Sequence, residues 1–239
     1  MRQQIAAAGA RGLVVGLSGG LDSAVVARLA QLAAPGAVLA VRLPCHSDPA
    51  DEADAEAIAT HFSLTAIRID LSSAYDTLTA CAQAGVKTIP ATGRPTSAAD
   101  RRPLANIKPR LRMTTLYFLA NSLNYLVAGT SNRAAIAAGQ FTKYGDGAVD
   151  ILPLGQLLKR EVRSLARDLG VPAPIVSRVP SAGLWLGQAD EEELGCRYDE
   201  LDRYLDEGPE SVAPATALKI ERLIRAAEHK SKLPPMPEE

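Results

Sequence analysis

Cysteine is scarce in this sequence and never closely paired. The 239-residue chain holds three, Cys45, Cys81 and Cys196, an odd number at wide spacing with no CxxC among them. That pattern speaks against a disulfide framework and fits reduced packing thiols in the cytosol. Long apolar runs are missing as well. No segment approaches the ~20 apolar residues of a membrane span, and Met1, Arg2, Gln3, Gln4, Ile5 and Ala6 lack the apolar core of a signal peptide, so a soluble cytoplasmic protein is expected. Nor does one sign of charge dominate. With 26 Lys plus Arg against 27 Asp plus Glu, the net charge of −1 supplies no general drive toward nucleic acid or an anionic membrane, although single basic residues remain available for phosphate. Internal repeats are absent, and alanine richness is the only compositional bias. A chain of this length fits one α/β domain over residues 1–239.

What is present begins with the apolar run Leu13, Val14, Val15, Gly16, Leu17. It leads into Ser18, Gly19, Gly20, Leu21, Asp22 and Ser23, then Ala24, Val25 and Val26: a strand, a glycine loop and a helix start. The glycines permit a tight turn and close approach to a ligand, while Ser18, Ser23 and the free N–H groups of the first helical turn are donors for an anion. Phosphate is the natural occupant. A Walker A loop would carry Lys and then Ser or Thr after its glycines, and this loop has neither. It has Asp22, a carboxylate beside a phosphate site, which makes sense where a divalent cation sits between the two. The plain alternative is a glycine turn capped by Asp22 and Ser23. The pattern SGGxDS resembles the pyrophosphate-binding loop of ATP pyrophosphatases, which split ATP into AMP and pyrophosphate to activate a carboxyl or carbonyl group. The missing CxxC argues against the sulfur-inserting members that act on tRNA.

Further along, residues 37–43 read as a buried strand ended by Pro44. The acidic run Asp51, Glu52, Asp54 and Glu56 opens a helix with its negative charge at the favourable end of the dipole. Residues 65–69 form a third strand. The alternation implies a Rossmann-like, doubly wound parallel sheet with helices on both faces. Residues 88–103, rich in proline, suit a long mobile loop. A helix follows over about 108–124, and then Tyr125, Leu126, Val127 and Ala128 form a fourth strand ending at Gly129. Ligands gather at the carboxyl ends of such strands, so residues 16–23, 43–47 and 129–132 should converge on one crevice.

A second constellation is more specific. Gly129, Thr130, Ser131 and Asn132 are followed by the run GQFTKYGDG over 139–147, with NIKPRLRM over 106–113 and PSAGLWLGQADE over 180–191. Together these motifs resemble ammonia-dependent NAD synthetase, in the family's order and over nearly the whole chain, from about Leu13 to Pro235. The resemblance implies a single doubly wound ATP pyrophosphatase-type domain acting as a homodimer, with deamido-NAD bound across the subunit interface. It implies ATP, deamido-NAD and ammonia as substrates. Residues 16–23 would hold the ATP phosphates, Asp22 would ligate Mg2+, and Thr130, Lys159 and Ser181 would be further ATP contacts. Arg110, Lys143, Asp150, His229 and Lys230 match deamido-NAD positions, and Asp146 matches the carboxylate near the ammonia site. Asp22, Asp146 and Lys159 are thus the catalytic candidates.

These cations suit a substrate that brings a pyrophosphate and a carboxylate. Each has a plain alternative: Lys108 and Arg110 as a solvated helix face, Lys159 as surface charge opening a helix that ends at Gly170, His229 as an exposed helix-end residue. His46 and His61 match no motif and read as structural or exposed. Trp185 and the Gly183-Leu184 pair read as a loop anchor and hinge. Asp22, on a surface loop, should matter far more to catalysis than to stability. The implied chemistry is adenylation of the nicotinate carboxylate followed by displacement of AMP by neutral ammonia, with loops around 88–103 and 180–188 excluding water. No glutaminase domain is present, so ammonia arrives free or from a separate partner. One departure stands out. The family pattern has a metal-binding glutamate three residues beyond Asn132, and here that position is Ala135. Either phosphates, Asp22 and water complete the shell, or the protein is a diverged amidating ligase for another carboxylate, or it is a weakened nucleotide-binding paralogue. Pro109 and Gln140 are lesser departures beside the same site.

Overall fold

Strand β1 (Gly12–Gly16) lies at the centre because its side chains are wholly withdrawn from water on both sides. In the computed structural model, which describes residues 1–90, 101–185 and 187–237, Leu13, Val14 and Val15 are fully buried. With a side-chain period of two, Leu13 and Val15 pack into one apolar cluster and Val14 into another, each contributing about 1.5–3 kcal/mol of burial. β1 pairs in parallel with β2 (Val38–Arg42) and with β4 (Tyr125–Ala128), and β3 (Ala66–Arg68) lies outside β2, giving the order β3-β2-β1-β4.

After the short α1 (Arg2–Ala7), each strand connection crosses over through helices. These are α2 (Leu21–Ala33), then α3 (Pro49–His61), then α4 (Ser72–Thr88), α5 (Arg102–Ala105) and α6 (Ile107–Leu123) before β4. Side chains of α2 and α3 join the cluster of Leu13 and Val15, and α6 joins that of Val14. Helices therefore cover both faces, as the doubly wound reading expects. Asp48 sets the start of α3 by accepting from Ala50 N at 2.9 Å, with Pro49 in the first position. Asn124, left-handed at φ 56, ends α6 and turns the chain straight into β4. The expected loop over 88–103 is only partly a loop: Thr88 closes α4 and Pro103 sits inside α5, while residues 91–100 lie outside the described residues.

Beyond β4 come α7 (Arg133–Ala138), α8 (Lys159–Asp168), α9 (Ala173–Val176), α10 (Asp190–Leu194), α11 (Tyr198–Glu207) and α12 (Pro214–Ser231). α8 and α9 pack on the cluster of Leu13, whereas α7, α11 and α12 build a third core around Tyr198, Leu201 and Ile220. Among the described residues no helix is long and apolar enough to cross a membrane. The third core is tied to the sheet layer by Asp202 of α11. It is 1% exposed and accepts from Lys159 N at 3.1 Å and Arg160 N at 2.8 Å, capping α8 from another helix. Asp202→Ala leaves those two N–H groups unpaired and is expected to cost about 2 kcal/mol. The expected result is a lower denaturant midpoint at unchanged m-value; an unchanged midpoint would show the cap to be dispensable.

Candidate active site

Three strands end at one place. The carboxyl ends of β1, β2 and β4 open into a cavity of about 770 Å3, lined from the first loop by Gly16, Leu17, Ser18, Gly20, Leu21, Asp22 and Ser23. Leu43 and Ser47 line it after β2, and Thr130 and Asn132 after β4. Lys159, Ser181, Asp146 and Lys230 complete the expected residues found there. Gly19 is not a wall residue but shapes the turn: its φ is +84°, and a Cβ would stand 2.3 Å from the Asp51 carbonyl oxygen. Ser23 Oγ accepts from Ser18 N at 3.2 Å and donates to Gly20 O at 2.9 Å, which locks the loop. The N–H groups of Leu21, Asp22 and Ser23 precede the first intrahelical bond, Ala24 N to Gly20 O, and form the anion-binding end of α2.

Asp22 and Lys159 meet across this loop. Lys159 Nζ donates to Asp22 Oδ2 at 2.5 Å, with the two side chains 4% and 25% exposed, and the ammonium lies 5.3 Å from the Tyr198 ring centroid. Asn132 Nδ2 holds the other oxygen, Asp22 Oδ1, at 3.2 Å. Beneath the ammonium, Tyr198 Oη donates to Asp190 Oδ2 at 3.0 Å; burial and the Asp190 charge push the phenol's pKa upward, so it remains a donor. Asp22 is therefore not the lightly packed loop carboxylate expected from sequence. It neutralises a buried cation.

On the opposite wall, Asp146 Oδ1 accepts from Thr142 N at 2.8 Å. The residue is exposed at the cavity wall; neighbouring protein raises the carboxyl's pKa by desolvation, against the pull of the Thr142 N–H and the charges of Arg112 and Lys230. Lys230 is spent inside the molecule: Nζ donates to Gly139 O at 2.7 Å and Phe141 O at 3.1 Å, clamping the 139–147 run to α12, and burial lowers its pKa.

Arg110, Lys143, Asp150 and His229 are absent from the cavity wall. Three of them form a chain outside it, Arg110 Nη2 donating to Lys143 O at 3.2 Å and Lys143 Nζ to His229 O at 2.6 Å. Asp150 accepts from Val127 N at 2.7 Å at the edge of β4 and from Tyr117 Oη at 3.1 Å; burial and Asp150 push Tyr117 up to about 12.

Several wall residues escaped the sequence reading. Arg42, at the carboxyl end of β2, lines the cavity with its guanidinium paired to Glu56 and its buried Nε without a hydrogen-bond partner among the described residues, and its position at a strand end was the available signal. Arg112 donates from Nε to Leu43 O at 3.0 Å and from Nη2 to Ser47 Oγ at 3.1 Å. Lys108 is not on a solvated face. It is 6% exposed, donates to Leu184 O at 2.8 Å and His46 O at 3.4 Å, and burial lowers its pKa. His46 meets Asp76 at 2.8 Å and His61 meets Gly170 O at 2.9 Å; both are exposed and neither lines the cavity. The 180–188 loop is braced by Leu184 N donating to Gln188 Oε1 at 2.8 Å.

The glycine loop, buried Lys159 and Asp146 thus share one crevice, and residues 1–234 match the family model for NAD synthase. This chain belongs to the NAD synthase family. It is 46% identical over 237 residues to an NH(3)-dependent NAD(+) synthetase of Carboxydothermus hydrogenoformans, covering 99% of this chain and 93% of that one. Among solved structures, the NMN synthetase of Francisella tularensis superposes with a TM-score of 0.88 at 36% identity, covering 99% of this chain and 93% of that one. The NH3-dependent NAD synthetase of Campylobacter jejuni, solved with a nitrate ion, does so with a TM-score of 0.78 at 25% identity and the same coverage. In this family setting the ion pair is open to a direct check. Asp22→Asn leaves the Lys159 ammonium buried and unpaired, and should cost about 3 kcal/mol of stability. Adding Lys159→Met should restore much of the loss without restoring activity, and strictly additive losses in denaturant melts would contradict the pairing.

Proposed function

We propose that this chain amidates deamido-NAD to NAD with free ammonia, activating the nicotinate carboxylate with ATP as an acyl-adenylate and releasing AMP and pyrophosphate. The observation that carries the reading is the junction of the glycine loop and Asp146 in one crevice, since adenylation and amidation must occur without the intermediate leaving. A carboxylate oxygen attacks the α-phosphorus and pyrophosphate departs toward the N–H groups at the start of α2, with Lys159 balancing its charge. Ammonia then attacks the acyl carbon, AMP leaves, and Asp146 takes the proton. The 180–188 loop, braced by Lys108 and Gln188, shields the adenylate from hydrolysis.

Mg2+ fits this wall in a particular way. Among the described residues no three acidic, histidine or cysteine groups converge as a metal cluster. A cation that arrives with a triphosphate needs only one or two protein carboxylates, and Asp22 supplies one beside the phosphate loop. When bound it would supply charge neutralisation at the phosphates. Ala135, which lines the cavity, contributes no ligand. Arg110, Lys143, Asp150 and His229, placed outside the cavity, suit the far half of a dinucleotide held between two copies of the chain, so the working form is a cytoplasmic homodimer. Ammonia is taken up free or from a separate glutaminase.

The superposition on the Francisella NMN synthetase favours a second reading, in which the acceptor is the mononucleotide carrying the same nicotinate carboxylate. Purified protein given ATP, Mg2+, ammonium and either acceptor should yield AMP, pyrophosphate and amide in equal amounts; ADP and orthophosphate would refute adenylation. Arg110→Ala is expected to raise KM about tenfold for deamido-NAD with kcat retained. An equal rise for the mononucleotide would remove Arg110 from the far half of the site.

A further inference from the structure

The geometry points to Asn132 as the residue that positions Asp22 for catalysis, an inference resting on the reading that Asp22 serves ATP activation. Asn132 is 1% exposed and lines the cavity at the carboxyl end of β4. Its amide orientation is fixed by chemistry. The Ala135 N–H can only donate, and Asn132 Oδ1 accepts from it at 3.0 Å as the cap of α7. That bond turns Nδ2 toward Asp22, where it donates to Oδ1 at 3.2 Å.

Asp22 thus has two protein donors among the described residues, one on each oxygen, and they differ in kind. Lys159 reaches Oδ2 from the end of a flexible four-carbon stem. A triphosphate in the cavity competes for that ammonium, and when Lys159 turns to phosphate it releases Oδ2. Asn132 has a short side chain, is buried and is tied at its other end to a helix, so it stays. It then becomes the group that keeps the carboxylate in place while Oδ2 faces the incoming charge. Nothing else on this segment can do so: the cavity-lining residues of α7 are Ala135 and Ala138.

The two roles of Asn132 separate by substitution. Asn132→Ser keeps an oxygen to cap Ala135 N but loses the reach to Asp22. Asn132→Asp keeps the cap and the size but faces Asp22 with a second carboxylate, and serves if the serine variant fails to fold. The probe is MgATP binding by calorimetry without an acceptor, in the wild-type and Asp22→Ala backgrounds. Asn132→Ser is expected to weaken MgATP binding about tenfold in the wild-type background, with an unchanged melting profile. In the Asp22→Ala background, which has no side-chain oxygen for Nδ2 to reach, the same substitution should change it by about twofold or less. Asn132→Asp should weaken binding at least as much. Equal losses in both backgrounds, or unchanged binding in Asn132→Ser, would overturn the assignment of Asn132 while leaving the functional reading intact. A wild-type chain that binds no MgATP would overturn both.

Discussion

A buried ammonium at the start of a helix is in the wrong place electrostatically, and the rest of the site follows from how the fold answers that. Lys159 opens α8, where the dipole is positive, and lies beside the start of α2, which is positive as well. Asp22 supplies the compensating charge. The N–H groups of Leu21, Asp22 and Ser23 open the same wall, and Arg42 lines it with its guanidinium paired to Glu56. Without that ion pair the Lys159 ammonium would be buried at two helix starts with no countercharge among its described partners.

The C-terminal layer is the second half of the same constraint. Asp202 holds the first turn of α8, Tyr198 lies under the Lys159 ammonium, and both belong to α11. α12 fixes the opposite wall through Lys230, while Gly139 permits the contact because a Cβ there would come 2.4 Å from Ala227 Cβ. The run carrying Asp146 is therefore anchored to a helix remote in sequence.

The sheet was legible because its strands are short apolar runs bounded by glycine and proline, and the observed β1, β2, β3 and β4 differ from the expected spans by a residue or two. The glycine loop was legible because the strand, turn and helix start that form it are contiguous in sequence. Long-range pairings were not. Asp22 and Lys159 are 137 positions apart, and nothing local to either says that one neutralises the other. Lys108 looked like surface charge because its partners are backbone carbonyls at His46 and Leu184, which leave no complementary charge in the sequence. Arg110, Lys143 and His229 are linked by hydrogen bonds, and their position outside the cavity depends on how α6 and α12 pack around the 139–147 run.

The claim that this crevice activates a carboxylate by adenylation is tested most directly by the fate of oxygen. Deamido-NAD labelled with oxygen-18 in its nicotinate carboxylate, amidated to completion by the purified protein, should deliver one labelled oxygen to AMP for each amide formed, because the attacking oxygen stays on the α-phosphorus when ammonia displaces it. Label in orthophosphate, or AMP free of label alongside full amide yield, would contradict the account.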